Sequence, residues 1–156
     1  MSTLERLTTD LTASMKARDS FRTNTLRQAI AAVRAAEKSG TSVRELSDAE
    51  VQSVLASEAK KRRDTAQIYA GAGAGDRAAT ETSEADLLET YLPAAVSAEQ
   101  LDAVVAGAIA STGATSMKDM GAVMKAATAS AADLGRVDGK LLSQRVRQAL
   151  SGSAAG

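Results

Sequence analysis

The sequence contains no cysteine and no histidine. Without cysteine the chain has no disulfide framework, no thiol nucleophile and no thiolate metal site. Without histidine it lacks the side chain that most often serves as a general base or a metal ligand. A Ser–Lys system stays open by composition, but no serine lies in a recognisable glycine elbow. We therefore expect no metal, no cofactor and no catalytic residues.

Aromatic residues, proline and net charge are equally scarce. The chain has three aromatic residues and one proline, and its nineteen basic and nineteen acidic residues cancel. No overall field would therefore draw it onto nucleic acid. No apolar run approaches the ~20 residues of a membrane span, and the first apolar residues alternate with charge, unlike a signal peptide. We expect a soluble, cytoplasmic protein with no membrane partner.

What the chain does contain is apolar residues at helical spacing, with alanine between them. Three segments begin with a capping box, in which a serine and a following Glu or Gln satisfy the first helical amides; these are Ser2–Glu5, Ser47–Glu50 and Ser97–Gln100. No window alternates apolar and polar residues as a strand would. The sequence predicts an all-α fold of about seven helices, the first two forming a helical hairpin.

Glycine and proline mark the divisions between these helices. Gly71–Gly75 holds three glycines in five residues, each costing a helix about 1 kcal/mol, so we interpret it as a hinge. Pro93 disfavours a helical residue before it and marks the candidate boundary. The sequence thus predicts an N-terminal helical subdomain over 1–93, a C-terminal one over 94–150 and a frayed tail over 151–156.

The C-terminal subdomain carries the clearest pattern. Met117, Met120 and Met124 fall at helical spacing and are expected to contribute to the core. The Ala- and Ser-rich stretch 128–133 is predicted to be a loop, and Asp138 is predicted to cap the last helix.

Two sets of basic residues are candidates for phosphate contacts. The RNA-binding candidates are Lys118, Lys125, Arg136, Lys140, Arg145 and Arg147. A secondary cluster comprises Lys60, Lys61, Arg62 and Arg63. The alternative for both is a solvated helix surface. For the secondary cluster we favour pairing with the stretch 76–102, which has seven acids and one base, and with Glu58, which stands four residues before Arg62.

Several motifs occur together in one order along the chain. They include Met15-Lys16-Ala17-Arg18-Asp19, Glu58-Ala59-Lys60-Lys61-Arg62, Tyr91-Leu92-Pro93, Gly113-Ala114-Thr115-Ser116-Met117-Lys118-Asp119-Met120-Gly121 and Gly135-Arg136-Val137-Asp138-Gly139-Lys140. With these motifs the chain resembles the YqeY-like proteins over nearly its whole length. The C-terminal domain of those proteins is similar to the tail domain of the B subunit of glutamyl-tRNA(Gln)/aspartyl-tRNA(Asn) amidotransferase. Relatives usually carry a proline near residues 128–130, where this chain has Thr128-Ala129-Ser130.

The resemblance implies an N-terminal helical part and a C-terminal three-helix bundle. In the amidotransferase subunit the related tail domain helps to hold tRNA, while the chemistry lies in other domains. The resemblance therefore implies a non-catalytic accessory module that binds tRNA or other structured RNA. The alternative is a helical adaptor with a protein partner in translation. A third reading follows family naming alone: carbon–nitrogen ligase activity with glutamine as the amido-nitrogen donor, for which the chain shows no catalytic constellation.

Overall fold

The computed structural model describes residues 1–154 and consists of helices joined by short connections. Within these residues there is no β-strand, which confirms the predicted all-α fold. No helix in the described range is long and apolar enough to cross a bilayer. The α-helices are α1 (Thr3–Lys16), α2 (Ser20–Glu37), α3 (Asp48–Gly71), α4 (Gly75–Glu89), α5 (Ala98–Thr112), α6 (Met120–Ala132) and α7 (Gly139–Ala154), with a 3₁₀ turn (Met117–Asp119) before α6.

Helix starts follow the predicted capping chemistry. All three capping boxes are present, with serine accepting the N3 amide and the N3 side chain accepting the serine amide. Asp138 accepts the amides of Lys140 and Leu141 at 3.0 and 3.1 Å and so caps α7, as predicted. Each such cap satisfies amides that have no partner inside the helix.

One prediction about a helix end is wrong. Residues 128–133 were predicted to be a loop, but α6 continues to Ala132. Ala127 and Ala131 are fully buried, and alanine has the highest helix propensity, so packing and propensity both extend the helix. The predicted tail begins within α7, which extends to Ala154. Residues 155–156 of that tail lie outside the described range.

The chain divides into two compact units, and the first spans Met1–Leu92. In this N-terminal unit α1 and α2 form the expected helical hairpin, and α3 and α4 form a second one. The segment interpreted as a hinge is the turn of that second hairpin, where Gly73 takes a φ of +76°. The buried core comprises Leu7, Leu26, Ala29, Leu55, Ala59, Ala85, Leu87, Leu88 and Tyr91.

Tyr91 links α1 to the end of the N-terminal unit. Its hydroxyl donates to Asp10 Oδ2 at 2.5 Å, and the Arg6 guanidinium lies 5.1 Å from the ring centroid. Burial raises the pKa of Tyr91 to about 12, and the hydrogen bond and charge of Asp10 act in the same direction. The neutral phenol is therefore part of the folded state.

We expect this contact to make the N-terminal unit sensitive to alkali. The folded pKa of Tyr91, about 12, lies above the ordinary value of 10.0, so the stabilisation is complete below pH 10 and is lost as the pH rises towards 12. Urea unfolding at several pH values checks this. The stability advantage of wild type over Tyr91→Phe should be largest near neutrality and shrink above pH 10; a constant advantage would contradict the assignment.

The C-terminal unit begins at Pro93 and is a three-helix bundle of α5, α6 and α7. Its buried residues are Val96, Leu101, Val105, Ala108, Val123, Ala127, Ala131, Leu142, Val146 and Leu150. Met120 and Met124 pack against this core, as predicted. Met117 differs from the prediction, because it is 44% exposed at the end of the bundle.

A short backbone contact fastens the α6–α7 connection to the segment before α5. The Arg136 amide donates to the Ala94 carbonyl at 3.2 Å, and the Val96 amide donates to the Arg136 carbonyl at 2.9 Å. Gly135 makes this approach possible: its φ is +149°, and a Cβ there would lie 2.6 Å from the Ala94 oxygen. The contact holds the connection that leads into α7.

Candidate nucleic-acid interface

The six RNA-binding candidates all lie on the 3₁₀ turn, α6, α7 and the connection between these two helices. That connection is short, and the Ser151 hydroxyl lies 3.9 Å from the Met117 sulfur. The end of α7 is therefore beside the start of α6, and the two helices are antiparallel. The structure thus brings the candidates onto one helical hairpin.

Their exposure divides the six into two groups. Lys118, Lys125, Lys140 and Arg147 are exposed, and in the described part of the chain none of them forms an ion pair. We call these four the α6–α7 cations. Arg145 is half-buried and reaches Asp102 of α5 at 3.5 Å. Arg136 is half-buried, and its Nε is buried without a partner among the described residues.

Acidic residues flank these two helices but do not lie within them: Asp119 precedes α6, Asp133 follows it and Asp138 precedes α7. Neither α6 nor α7 contains an acidic residue. Two of these carboxylates accept backbone amides at helix starts. Asp119 accepts the Thr115 amide at 2.9 Å, and Asp138 accepts the Lys140 amide at 3.0 Å. An acid at a helix start also interacts favourably with the helix dipole. The acids of α5, Glu99 and Asp102, lie on the third helix of the bundle.

Spacing places two of the α6–α7 cations on one helical face. Lys140 and Arg147 are seven residues apart in α7, close to two full turns and about 10 Å along the axis. Gln144, also exposed, lies between them. The two cations therefore lie on one side of α7.

The secondary cluster has a different environment, with Arg62 at its centre. Arg62 is 8% exposed and joins α3 to α4 and α2. It donates to Glu84 Oε2 at 3.1 Å, to Glu58 Oε2 at 3.0 Å and to Gln28 Oε1 at 2.7 Å. The Glu58–Arg62 pair predicted from the sequence is confirmed.

The other three members of the cluster also have carboxylate partners. Arg63 donates to both oxygens of Glu89 at 2.9 and 2.7 Å and to Asp86 at 2.7 Å. Lys60 pairs with Asp64 at 2.9 Å, and Lys61 with Glu58 at 3.0 Å. Arg62 and Arg63 thus pair with the acidic helix α4, and the cluster holds the second hairpin together.

The pKa of Glu58 reflects its contacts with Lys61 and Arg62. Burial raises the pKa of this carboxyl, but hydrogen bonds from Lys61 and Arg62 outweigh burial and leave the pKa below its ordinary value. The carboxylate is thus stabilised in its charged form by two cations of the cluster.

Comparison with protein-family models matches residues 4–150 to the family described as Yqey-like protein. The chain belongs to this family. No curated protein matches it. The resemblance inferred from the motifs is therefore confirmed over nearly the whole chain, and both helical units lie within the Yqey-like match.

The structure shows what two of the motifs behind the Yqey-like resemblance form. Gly135-Arg136 is the backbone contact with Ala94, where glycine is required. Met15–Asp19 forms the turn between α1 and α2 and carries two exposed cations, Lys16 and Arg18, that are not among the RNA-binding candidates. The signal that was available there was the density of basic residues between 16 and 27, with Phe21 among them.

Proposed function

We propose that the C-terminal unit binds structured RNA, such as tRNA, by contacting phosphates along the α6–α7 hairpin. The observation that carries the proposal is the charge distribution on this hairpin. Four exposed cations lie on α6, α7 and the turn before α6, and the two helices themselves contain no acidic residue. The similarity of this part of the chain to the amidotransferase tail domain, inferred from its motifs, supports the same class of ligand.

The chemistry of the hairpin favours holding RNA over reading its sequence. Lysine and arginine contacts to phosphate supply affinity and position, whereas base contacts supply specificity. The α6–α7 hairpin contains no aromatic residue, so it offers no platform on which bases would stack. We therefore propose a non-catalytic accessory module that retains a folded RNA through its backbone.

A protein-interaction adaptor is the competing function. Its best feature is Ile68, which is 71% exposed on α3. Single exposed apolar residues are normal on soluble proteins, so this feature does not favour an adaptor over RNA binding.

Removing two of the α6–α7 cations should weaken tRNA binding and its salt dependence together. In the double variant Lys125→Ala/Arg147→Ala, we expect the slope of log K against log salt to become less steep by about 2, roughly one unit for each lost phosphate contact. Filter binding with tRNA from about 50 to about 200 mM salt measures both quantities. Neither side chain is buried, so the fold should be unaffected.

The matched control is Lys60→Ala/Lys61→Ala, which removes the same charge from cations that already have carboxylate partners. This control should bind tRNA like wild type. Equal losses of tRNA affinity in both double variants would show that only net charge matters, which would contradict the proposal. Recovery of a stoichiometric protein partner that survives nuclease treatment, with no tRNA binding at about 50 mM salt, would favour the adaptor.

A further inference from the structure

The turn between α1 and α2 is a second basic surface, on the N-terminal unit. We call it the α1–α2 tip and define it as Met15, Lys16, Arg18, Phe21 and Arg27. The Arg27 guanidinium donates to the Met15 sulfur at 3.2 Å, which brings the last turn of α1 and the second turn of α2 together. All five side chains are exposed.

Arg18 occupies a backbone position that normally favours glycine. Its φ is +58°, in the left-handed region that is costly for residues with a Cβ. Its amide donates to the Met15 carbonyl at 3.1 Å, and the Asp19 amide donates to the Ser14 carbonyl at 3.0 Å. This is the Schellman ending of a helix, in which the left-handed residue is usually glycine. An arginine there costs stability, and a strained residue at a surface site points to use of its side chain.

Cations with neither a carboxylate partner nor an aromatic partner concentrate at this tip. Six basic side chains of the N-terminal unit form ion pairs, and Arg6 and Arg77 lie over tyrosine rings. The remaining five are Lys16, Arg18, Arg22, Arg27 and Lys38, and four of them fall between residues 16 and 27. The one acid in that stretch, Asp19, accepts the Arg22 amide at 3.0 Å as the cap of α2.

An exposed aromatic side chain follows Arg18 by three residues in the sequence. Phe21 is the only phenylalanine in the chain and is 39% exposed in the first turn of α2. Tyr91, by contrast, is buried, and Tyr69 is half-buried with Arg77 over its ring. An exposed ring beside arginines is the combination that binds unpaired nucleotides, since bases stack on the ring and guanidinium groups meet phosphates.

We propose that the α1–α2 tip binds a single-stranded segment of RNA, with Phe21 stacking on a base and Lys16, Arg18 and Arg27 meeting the flanking phosphates. The site is separate from the α6–α7 cations and shares only its class of ligand with the proposed function. Two of the three phosphate-binding side chains are arginines, whose planar forks match phosphate oxygens. Anchoring in a lipid surface would need a broad apolar helix face, whereas the exposed apolar side chains of the tip are Met15 and Phe21.

The test measures binding of an oligouridylate of about twelve nucleotides to the full chain by fluorescence anisotropy. Arg18→Gly should weaken binding about fivefold and make the salt slope less steep by about 0.7, the value for one phosphate contact of a single strand. The same variant should melt at a higher temperature, because glycine relieves the left-handed strain. Higher stability together with weaker binding is an outcome that a purely structural Arg18 would not give.

Phe21→Leu separates stacking from charge. It keeps an apolar side chain and removes the ring, so we expect about a fivefold loss of affinity, the lower end of the range for base stacking, with an unchanged salt slope. Lys38→Ala is the matched charge control, since Lys38 has no ion pair in the N-terminal unit and follows the far end of α2, about 27 Å along the helix. It should bind like wild type.

Further measurements distinguish RNA binding at the α1–α2 tip from RNA binding at the α6–α7 cations and from membrane binding. Lys125→Ala/Arg147→Ala should weaken oligouridylate binding much less than Arg18→Gly does, even where tRNA binding is lost. Equal losses for Arg18→Gly and Lys38→Ala, or no oligouridylate binding by wild type, would overturn the proposal. The proposal would also be overturned if vesicles containing phosphatidylserine bound wild type but not Arg18→Gly, while neither wild type nor Arg18→Gly bound the oligonucleotide.

Discussion

Replacing Arg62 with methionine is expected to destabilise the N-terminal unit by about 3 kcal/mol. The methionine fills most of the volume but leaves Glu58 and Glu84 facing each other without their shared cation. Their side chains keep 19% of their surface exposed, so we expect the lower end of the cost of breaking a buried ion pair. Loss of the hydrogen bond to Gln28 adds to this, because Arg62 joins three helices.

Tyrosine fluorescence during urea unfolding measures this effect selectively. Both tyrosines, Tyr69 and Tyr91, belong to the N-terminal unit and the chain has no tryptophan, so the signal reports that unit alone. The control Lys60→Met breaks an exposed pair with Asp64 and should cost no more than about 0.5 kcal/mol. Adding Glu84→Gln to Arg62→Met should recover part of the loss. Equal effects of Arg62→Met and Lys60→Met would contradict the central role of Arg62.

Gly135→Ala is expected to destabilise the C-terminal unit by about 2–4 kcal/mol. A φ of +149° is strained for alanine, and the new Cβ would lie 2.6 Å from the Ala94 oxygen. The obstacle is a backbone carbonyl, which cannot rotate away as a flexible side chain would. Relief therefore requires separating the α6–α7 connection from Ala94 and losing both backbone hydrogen bonds of Arg136.

Gly107→Ala is the matched control for this substitution. Gly107 lies within α5, and a Cβ there would meet no atom within 4 Å. Alanine should therefore stabilise the helix by about 0.5–1 kcal/mol. Far-UV circular dichroism follows both units, so a change seen there without a change in tyrosine fluorescence belongs to the C-terminal unit. Destabilisation of similar size by both variants would contradict the role assigned to Gly135.

The parts of the fold that the sequence predicted are those set by local chemistry. Capping boxes depend on residues three positions apart, so the starts of α1, α3 and α5 could be placed from the sequence alone. The Glu58–Arg62 pair could be predicted for the same reason, since residues four apart on a helix are neighbours.

The parts that were missed depend on tertiary contacts. The end of α6 was placed too early, because burial of Ala127 and Ala131 in the core is not visible in a stretch of small residues. Burial of Arg62 against α2 and α4 likewise depends on partners 34 and 22 residues away in sequence. The pairing of this cluster with the acidic stretch was expected from the sequence, but which acid each cation contacts was not.

The six RNA-binding candidates lie on one helical hairpin in the structure, but they differ in exposure and pairing. Six cations were grouped by sequence, and burial and pairing then separate Arg136 and Arg145 from the four exposed ones. The left-handed conformation of Arg18 could not be predicted, because arginine is uncommon at that position. The sequence feature that could have indicated this turn is the basic motif at the predicted end of the first helix.

The most direct test of the proposed function is to map the residues of the chain that contact RNA in solution. The chain is 16.0 kDa, small enough for titration of its amide NMR signals with tRNA. We expect the signals of Lys118, Lys125, Lys140 and Arg147 and their exposed neighbours to shift, and the shifts to vanish as salt is raised. Saturating tRNA that leaves α6 and α7 unshifted would contradict the account.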